Sequence, residues 1–259
     1  MLIASRQVEL AGTVARAAGD LADLLCGVSG ERPCLGHWDV AAVTAHVVDG
    51  LGLHRDLLLG RPSPIALGEG SLHAEEAVRQ AGGRALEDLA DELRPLAAEL
   101  AVAARERPAT DLVPWHGGLT LPADAVLALV AAEVLIHGRD IARAVKAPWR
   151  IERGTAAEVL LGLGPVFEKL DVSAPRPLVA VVSLRHSGTF AVSIGPAGTS
   201  VTSVPPRRPD CTLSADPVAF LLCSYRRRSP YIAAARGAIA VRGPRPWAAV
   251  ALSRLAPRD

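Results

Sequence analysis

Two segments of the sequence place metal-binding side chain types on helix faces that are otherwise apolar. Glu133 and His137 are four residues apart in a run of Val, Leu, Ile and Ala, so a helix sets them one turn apart on one face. His46 lies among valines and leucines at helical spacing. A carboxylate on a buried stripe is costly unless it is paired or bound to a metal. The three side chains therefore predict one metal site in the core of a helical bundle.

Two imidazoles and one carboxylate form a common catalytic zinc shell, because three protein ligands leave a fourth position for water or substrate. The same donors accept Ni, Fe or Co, so residue types alone do not choose the metal. Asp49 and Asp140 each follow a proposed ligand histidine by three residues. Either can orient an imidazole from outside or lie on the helix surface, and Asp140 can also be a direct ligand. Plainer interpretations are a hydrogen-bonded core histidine and a surface Glu–His salt link.

The other histidines are interpreted as lying outside the metal site. His54 is two turns beyond His46, too far along a helix to share its ion. The remaining four fall in predicted loops or turns, where we expect solvated side chains: His37, His73, His116 and His186. The four cysteines form no CxxC pair, which favours a reducing, cytoplasmic compartment with structural or idle thiols.

The apolar periodicity of the N-terminal part predicts a bundle of four helices. Their predicted spans are 5–27, 40–59, 74–106 and 122–145. Asp39 is the predicted N-cap of the second helix, Pro95 is expected to kink the third, and Pro122 suits the first position of the fourth. After Pro148 the pattern changes to short β-branched runs and short helices.

In the C-terminal part, PLVAVVSL and TFAVSI, separated by RHSG, predict a β-hairpin. CTLSA and GAIAVRG are interpreted as further strands, and Asp216-Pro217 as the start of a helix. GTAAEVLLGLGPVFEKL is one helix or two short ones, and PRPWAAVALSRL is a closing helix. The predicted fold class is therefore α+β, with a four-helix metal-binding bundle over residues 1–148 and a small α+β domain over residues 149–259.

Composition and charge exclude several classes of protein. Half of the 259 residues are hydrophobic and the net charge is +1, which excludes intrinsic disorder. Residues 1–145 carry 12 Arg and 20 acidic residues, whereas residues 146–259 carry 16 basic and 7 acidic residues. This asymmetry indicates two modules and fits attraction between them, an anionic ligand or nucleic acid. Only 3% of residues are aromatic and no reader motif is present, so we expect no nucleic-acid partner.

A membrane protein is not expected either. The longest apolar stretch, Leu121–Ile136, is too short for a membrane span and contains Asp124 and Glu133. The start of the chain, MLIASRQ, has no apolar core long enough for a secretory signal.

Two motifs resemble one known family. WDVAAVTAHVVDG, which contains His46, and AAEVLIHGRDIARA, which has the form E-x3-H-G-x-D-x-A-x-A, resemble the two motifs of the mycothiol-dependent maleylpyruvate isomerase family. That family belongs to the DinB-like metal-binding bundles and often adds a C-terminal domain of sterol-carrier-protein type. The resemblance implies that His46, Glu133 and His137 bind a divalent metal, which in this family is usually zinc. It also implies mycothiol, a low-molecular-weight thiol, as cosubstrate.

The sequence departs from the family pattern at two places. The family usually has Pro-Gly-Trp before the second helix, where this chain has LGHW. The family's C-terminal helix usually ends in Gly-Arg, and that arginine resembles an anion-binding residue; here the segment is SYRRRSP. Arg227 matches best, with Arg226 and Arg228 as alternatives. The plainer interpretation of the triplet is a solvated helix end, where cations favour the helix dipole.

The resemblance and the metal chemistry together imply an enzyme. A metal would activate mycothiol as a thiolate for isomerisation or S-transfer on a small electrophile, and Arg227 would bind a substrate carboxylate as the catalytic arginine. The expected partners are this small thiol and the electrophile, with the protein a monomer or a homodimer. The alternative is a non-catalytic metal- or lipid-binding protein.

Overall fold

A computed structural model of the chain describes residues 2–255, without the side chains of residues 2–5 and 254. The chain divides into two compact units, one ending at Arg150 and the other beginning at Ile151. The first unit is helical and the second combines helices with one five-stranded sheet. The α+β fold class expected from the sequence is confirmed.

The first unit contains five α-helices and two small hairpins within the described residues. The helices are α1 (Leu2–Leu25), α2 (Val40–Leu58), α3 (Gly70–Gln80), α4 (Leu86–Arg105) and α5 (Ala123–Val145). The strands are β1 (Pro33–Leu35), β2 (Trp38–Asp39), β3 (Leu112–Pro114) and β4 (Thr120–Pro122), with a 3₁₀ turn at His116–Gly118. α1 and α2 each pack against both α4 and α5, which makes these four a bundle. α5 is buried on nearly all sides, as its alanine-rich sequence permits.

α2 begins where the sequence predicts. The Asp39 side chain accepts a hydrogen bond from the backbone N–H of Ala42 at 2.8 Å, which satisfies one of the free N–H groups of the first turn. This N-cap fixes the start of the helix that carries His46. Pro122, in contrast, precedes the first residue of α5 and is its N-cap rather than its first helical residue.

The single helix predicted over residues 74–106 is wrong. The segment forms two helices, because the chain turns at Gly82 and Gly83, and Gly83 adopts a φ of 87° that favours glycine. The leucine stripe belongs to α4, where Leu89, Leu93 and Leu100 are fully buried. α3 has no buried residue, and the ion pair between His73 and Asp49 links it to α2.

The second unit is built on a sheet with the strand order β7-β6-β5-β8-β9. Its elements are α6 (Arg153–Gly162), α7 (Gly164–Phe167), β5 (Leu178–Leu184), β6 (Thr189–Gly195), β7 (Gly198–Thr202), β8 (Cys211–Ala215), α8 (Pro217–Ser224), α9 (Pro230–Ala235), β9 (Ile239–Arg242) and a 3₁₀ segment (Pro246–Leu255). β5 pairs with β8 in parallel, and the other neighbours are antiparallel.

Most of the second unit follows the sequence pattern. The predicted hairpin is β5–β6, and Asp216 caps α8 by accepting a hydrogen bond from Ala219 N at 2.9 Å. The helix predicted to close the chain is a 3₁₀ segment, and β7 and α9 were not predicted. Between residues 2 and 255, every helix is too short or too polar to cross a bilayer.

Candidate metal centre

The three side chains predicted as metal ligands lie together between α2 and α5. His137 Nε2 is 3.2 Å from Glu133 Oε2, and His46 Nε2 is 3.5 Å from the same oxygen. The two imidazole rings are nearly perpendicular, with centroids 4.9 Å apart. One donor atom from each residue lies within 4.8 Å of the other two. The packing of α2 against α5 therefore brings three residues from two separate segments to one point.

The site is open on one side. The His137 side chain is only 9% exposed, whereas those of His46 and Glu133 are 22% and 27% exposed. The sequence led us to expect all three deep in the core, and only His137 is so placed. A small molecule can approach the cluster from the side of His46 and Glu133.

Glu133 is held in its charged form. Burial by itself would raise its pKa, but hydrogen bonds to His137 and His46 and the charges of both rings outweigh burial and hold the pKa of Glu133 well below its usual range. A carboxylate that stays ionised beside two imidazole nitrogens is a donor set suited to a divalent cation. The residues present therefore fit a zinc-type ion.

Two neighbouring side chains contact the candidate ligands. Asp140, which is buried, has Oδ2 3.7 Å from His137 Nδ1, on the opposite side of the ring from Glu133. The Trp38 ring packs on His46 with centroids 5.2 Å apart, and its Nε1 donates a hydrogen bond to Glu75 of α3 at 3.3 Å. Asp140 is not part of the three-residue cluster within ligand distance, and its carboxylate faces Nδ1 of His137 at ion-pair distance.

A tryptophan that the sequence reasoning missed lies beside the turn that carries His137. Trp149 Nε1 donates a hydrogen bond to the Leu135 carbonyl at 3.0 Å, and its ring occupies the place where a side chain on Gly138 would be. The sequence contained a signal for this contact, namely Gly138 inside a predicted helix. Glycine lowers helix stability, so its presence there suggests that another group packs closely against the helix.

Asp49 has a different partner from the one considered in the sequence. Its Oδ2 is 3.0 Å from Nε2 of His73, so it links α2 to α3 and does not orient His46. The expectation that His73 is a solvated loop residue is wrong, because residues 70–80 form a helix that docks on α2.

A second group of aromatic and polar residues lies farther along α2. His54 is buried, and its ring contacts Trp115, which stacks on His116 with centroids 4.1 Å apart. His116 Nδ1 is 2.7 Å from Ser63 Oγ, so the expectation of a solvated His116 is also wrong. Burial lowers the pKa of His54, against the opposing effects of its hydrogen bond to Gly50 and the charge of Glu133. His37 and His186 are exposed as expected.

Comparison with known proteins identifies the family. Residues 10–142, slightly more than half of the chain, match the family model of the mycothiol maleylpyruvate isomerase N-terminal domain. The chain belongs to the mycothiol maleylpyruvate isomerase family. No curated protein sequence matches the chain significantly.

Two solved structures of a mycothiol-dependent maleylpyruvate isomerase resemble the whole chain. A histidine-to-alanine mutant of that enzyme is 17% identical with a TM-score of 0.56, and the other structure is 18% identical with a TM-score of 0.55. Each match covers 93% of this chain and 95% of the other chain. At this level of identity the likeness establishes the shared fold across both units.

The arginine that the family resemblance pointed to follows α8. Arg227 is half-buried, its backbone N–H bonds to the Leu222 carbonyl, and its Nη1 donates to the Tyr225 carbonyl at 2.9 Å. Arg226 is exposed and adopts a φ of 55°, which is unusual for a residue other than glycine. The chain thus turns sharply between α8 and Arg227, so the triplet is not a simple solvated end of a helix.

The four cysteines of this family member are free thiols. Burial raises the pKa of both Cys211 and Cys223, so each stays protonated at neutral pH. Neither of these two thiols is therefore suited to act as a nucleophile at neutral pH.

Proposed function

We propose that this protein is a metal-dependent enzyme that uses mycothiol as cosubstrate and acts on a small electrophile bearing a carboxylate. The proposal rests above all on the convergence of His46, Glu133 and His137 from two helices on one partly exposed point. Family membership and the likeness to solved mycothiol-dependent isomerases support mycothiol as the thiol and maleylpyruvate as the first substrate to test.

In this proposal, His46, Glu133 and His137 hold a divalent cation, with zinc the first choice for two imidazoles and a carboxylate. A bound cation of this kind lowers the pKa of a thiol so that the thiolate is present at neutral pH. His137 is the most buried of the three and anchors the site, and Asp140 orients its ring. The exposed sides of His46 and Glu133 leave room for the thiol and the electrophile to approach.

The proposed isomerisation is an addition followed by an elimination. The thiolate sulfur forms a C–S bond to one carbon of a double bond conjugated to a carbonyl, and the π electrons move to the carbonyl oxygen as an enolate. The former double bond is now single and rotates. The enolate then re-forms the double bond and expels the thiolate, so thiol is neither gained nor lost. In the S-transfer alternative the C–S bond stays and the enolate takes up a proton.

Arg227 is the proposed carboxylate-binding residue. A guanidinium can donate two parallel hydrogen bonds to one carboxylate, which fixes a substrate's orientation as well as its position. The hydrogen bond from Arg227 Nη1 to the Tyr225 carbonyl supports this role, because it restricts the side chain before substrate binds.

The test is metal content together with thiol-dependent turnover. The purified protein should contain about one metal ion by elemental analysis. It should convert maleylpyruvate, or consume mycothiol with an epoxide, only with thiol present and chelator absent. His46→Ala and His137→Ala should lose both metal and turnover. His186→Asn is the matched control, because His186 is exposed in a turn with a φ of 61° that asparagine tolerates.

Two outcomes would contradict the proposal in different ways. A His137→Ala variant with stoichiometric metal would show that the ligand assignment is wrong. A wild-type protein that holds metal but shows no thiol-dependent turnover with either electrophile would favour the non-catalytic alternative.

A further inference from the structure

A glycine lies next to the candidate metal centre on α2. Gly50 is four residues from His46 and four from His54, so the three positions share one face of the helix. His54 is buried, as is Leu57 on the neighbouring turn of the same face. Nevertheless, a Cβ built on Gly50 would meet no heavy atom within 4 Å. Gly50 is itself partly exposed, so α2 has open space beside this position, one turn from His46.

Packing within the chain does not account for this glycine. Glycine inside a helix is less favourable than alanine, so its presence calls for a reason. Gly138 has one, because the Trp149 ring fills the space beside it. Gly50 has neither a close neighbour nor a positive φ, and its backbone is ordinary α-helix. Gly52 of the same helix also has no close neighbour, but only Gly50 lies on the face of His46, where a molecule bound at the centre can use the open space.

The space lies on the open side of the centre. His46 and Glu133 are the more exposed of the three candidate ligands. The carboxylate of Glu133 is also near enough to His54 for its charge to raise the pKa of that imidazole. Gly50 lies between His46 and His54 along α2. The unfilled volume therefore adjoins the two ligands that a small molecule can reach.

We propose that Gly50 is a specificity-determining residue, whose missing side chain leaves room for the part of the thiol next to its sulfur. The inference rests on the proposed function, since it assumes a thiol bound at the metal centre. It predicts that a side chain at position 50 limits the size of the thiol that binds and leaves the metal in place. A small thiol needs little of this space, whereas a bulky one needs all of it.

Gly52 provides a matched control on the same helix. A Cβ there would also meet no heavy atom within 4 Å, but two residues of helix turn position 52 well away from the face of His46. Gly50→Ala and Gly52→Ala should each raise the melting temperature by about 2–4 °C, because alanine favours the helix and neither site clashes. Effects on thiol binding should be confined to position 50.

The experiment uses full-length protein loaded with Co²⁺, whose absorption reports a thiolate ligand. Wild type, Gly50→Leu and Gly52→Leu are titrated with 2-mercaptoethanol and with mycothiol, and cobalt content is measured for each. We expect equal cobalt content and equal binding of 2-mercaptoethanol in all three. Mycothiol should bind Gly50→Leu at least ~10-fold more weakly, which is the effect of losing about 1.4 kcal/mol. Gly50→Ala, the smaller change, should show a smaller loss in the same direction.

The contrary results are distinct. If wild type binds mycothiol and cobalt-loaded Gly50→Leu binds it equally well, Gly50 does not determine specificity, and the proposed function is unaffected. If Gly52→Leu weakens mycothiol binding as much as Gly50→Leu, the inference about position 50 is also wrong. If wild type binds neither thiol, the proposed function fails, and this inference fails with it.

Discussion

The indole ring of Trp149 lies on Gly138, the residue that follows His137 in α5, and donates a hydrogen bond to the Leu135 carbonyl. The turn that carries the most buried candidate ligand is thus held from outside the helix by a side chain just beyond its end. A larger residue at position 138 cannot coexist with this arrangement, since its Cβ would overlap the ring.

Gly138→Ala should therefore destabilise the protein, although alanine favours helices. Overpacking of this kind typically costs about 1–3 kcal/mol, which exceeds the gain of roughly 1 kcal/mol in helix propensity at its upper end. The free energy of unfolding in urea measures the effect. Removing the ring as well, in Gly138→Ala with Trp149→Ala, should relieve the overlap, so the two changes should not add. A Gly138→Ala variant more stable than wild type would contradict the observed packing.

Asp140→Asn should weaken metal binding and leave the fold intact. Asp140 faces Nδ1 of His137 at 3.7 Å, and loss of such an outer partner typically lowers metal affinity by about 10–100-fold. Competition with a chromogenic chelator measures the affinity. Asp49→Asn is the matched control, because Asp49 also follows a candidate ligand by three residues but pairs with His73. Equal affinities in the two variants would show that Asp140 does not orient His137.

The metal-free protein should lose stability when the pH falls from about 6.5 to about 4. Burial and the neighbouring His54 and His73 lower the pKa of His116 from 6.5 to about 4. In this window the unfolded chain binds a proton at His116 that the folded protein does not, so the free energy of unfolding decreases as the pH falls.

His116→Gln should reduce that slope, because glutamine can still bond to Ser63 and does not titrate. Urea unfolding at several pH values in the presence of chelator measures it. His186→Asn, a change at an exposed histidine, is unfolded in parallel for comparison. An unchanged slope in His116→Gln would mean that His116 does not contribute to the pH dependence.

Arg227→Ala should raise the KM for a carboxylate substrate by about 10–100-fold, the effect of losing a charge-assisted hydrogen bond worth about 1.5–3 kcal/mol. Metal content and mycothiol binding should stay unchanged, because neither depends on the substrate carboxylate. Arg226→Ala and Arg228→Ala are the comparisons. Steady-state kinetics on the three variants show which arginine binds the substrate carboxylate. A rise in KM confined to Arg226→Ala or Arg228→Ala would assign carboxylate binding to that residue instead.

Local sequence patterns predict the elements that carry the site. Asp39 as N-cap, the apolar stripes of α2 and α5, and the β5–β6 hairpin all follow from local spacing and capping, which depend on neighbours along the chain. The break between α3 and α4 also has a local signal, the pair Gly82 and Gly83. The regular leucine spacing after this pair nevertheless suggested one continuous helix.

Which side chains meet depends on packing between segments that are distant in sequence. The packing of α2 against α5 places His46 opposite Glu133 and His137. The packing of α3 on α2 pairs Asp49 with His73, and the segment after α5 places Trp149 over Gly138. Helical periodicity fixes the face on which a residue lies, but the neighbour opposite that face is chosen by packing between distant segments.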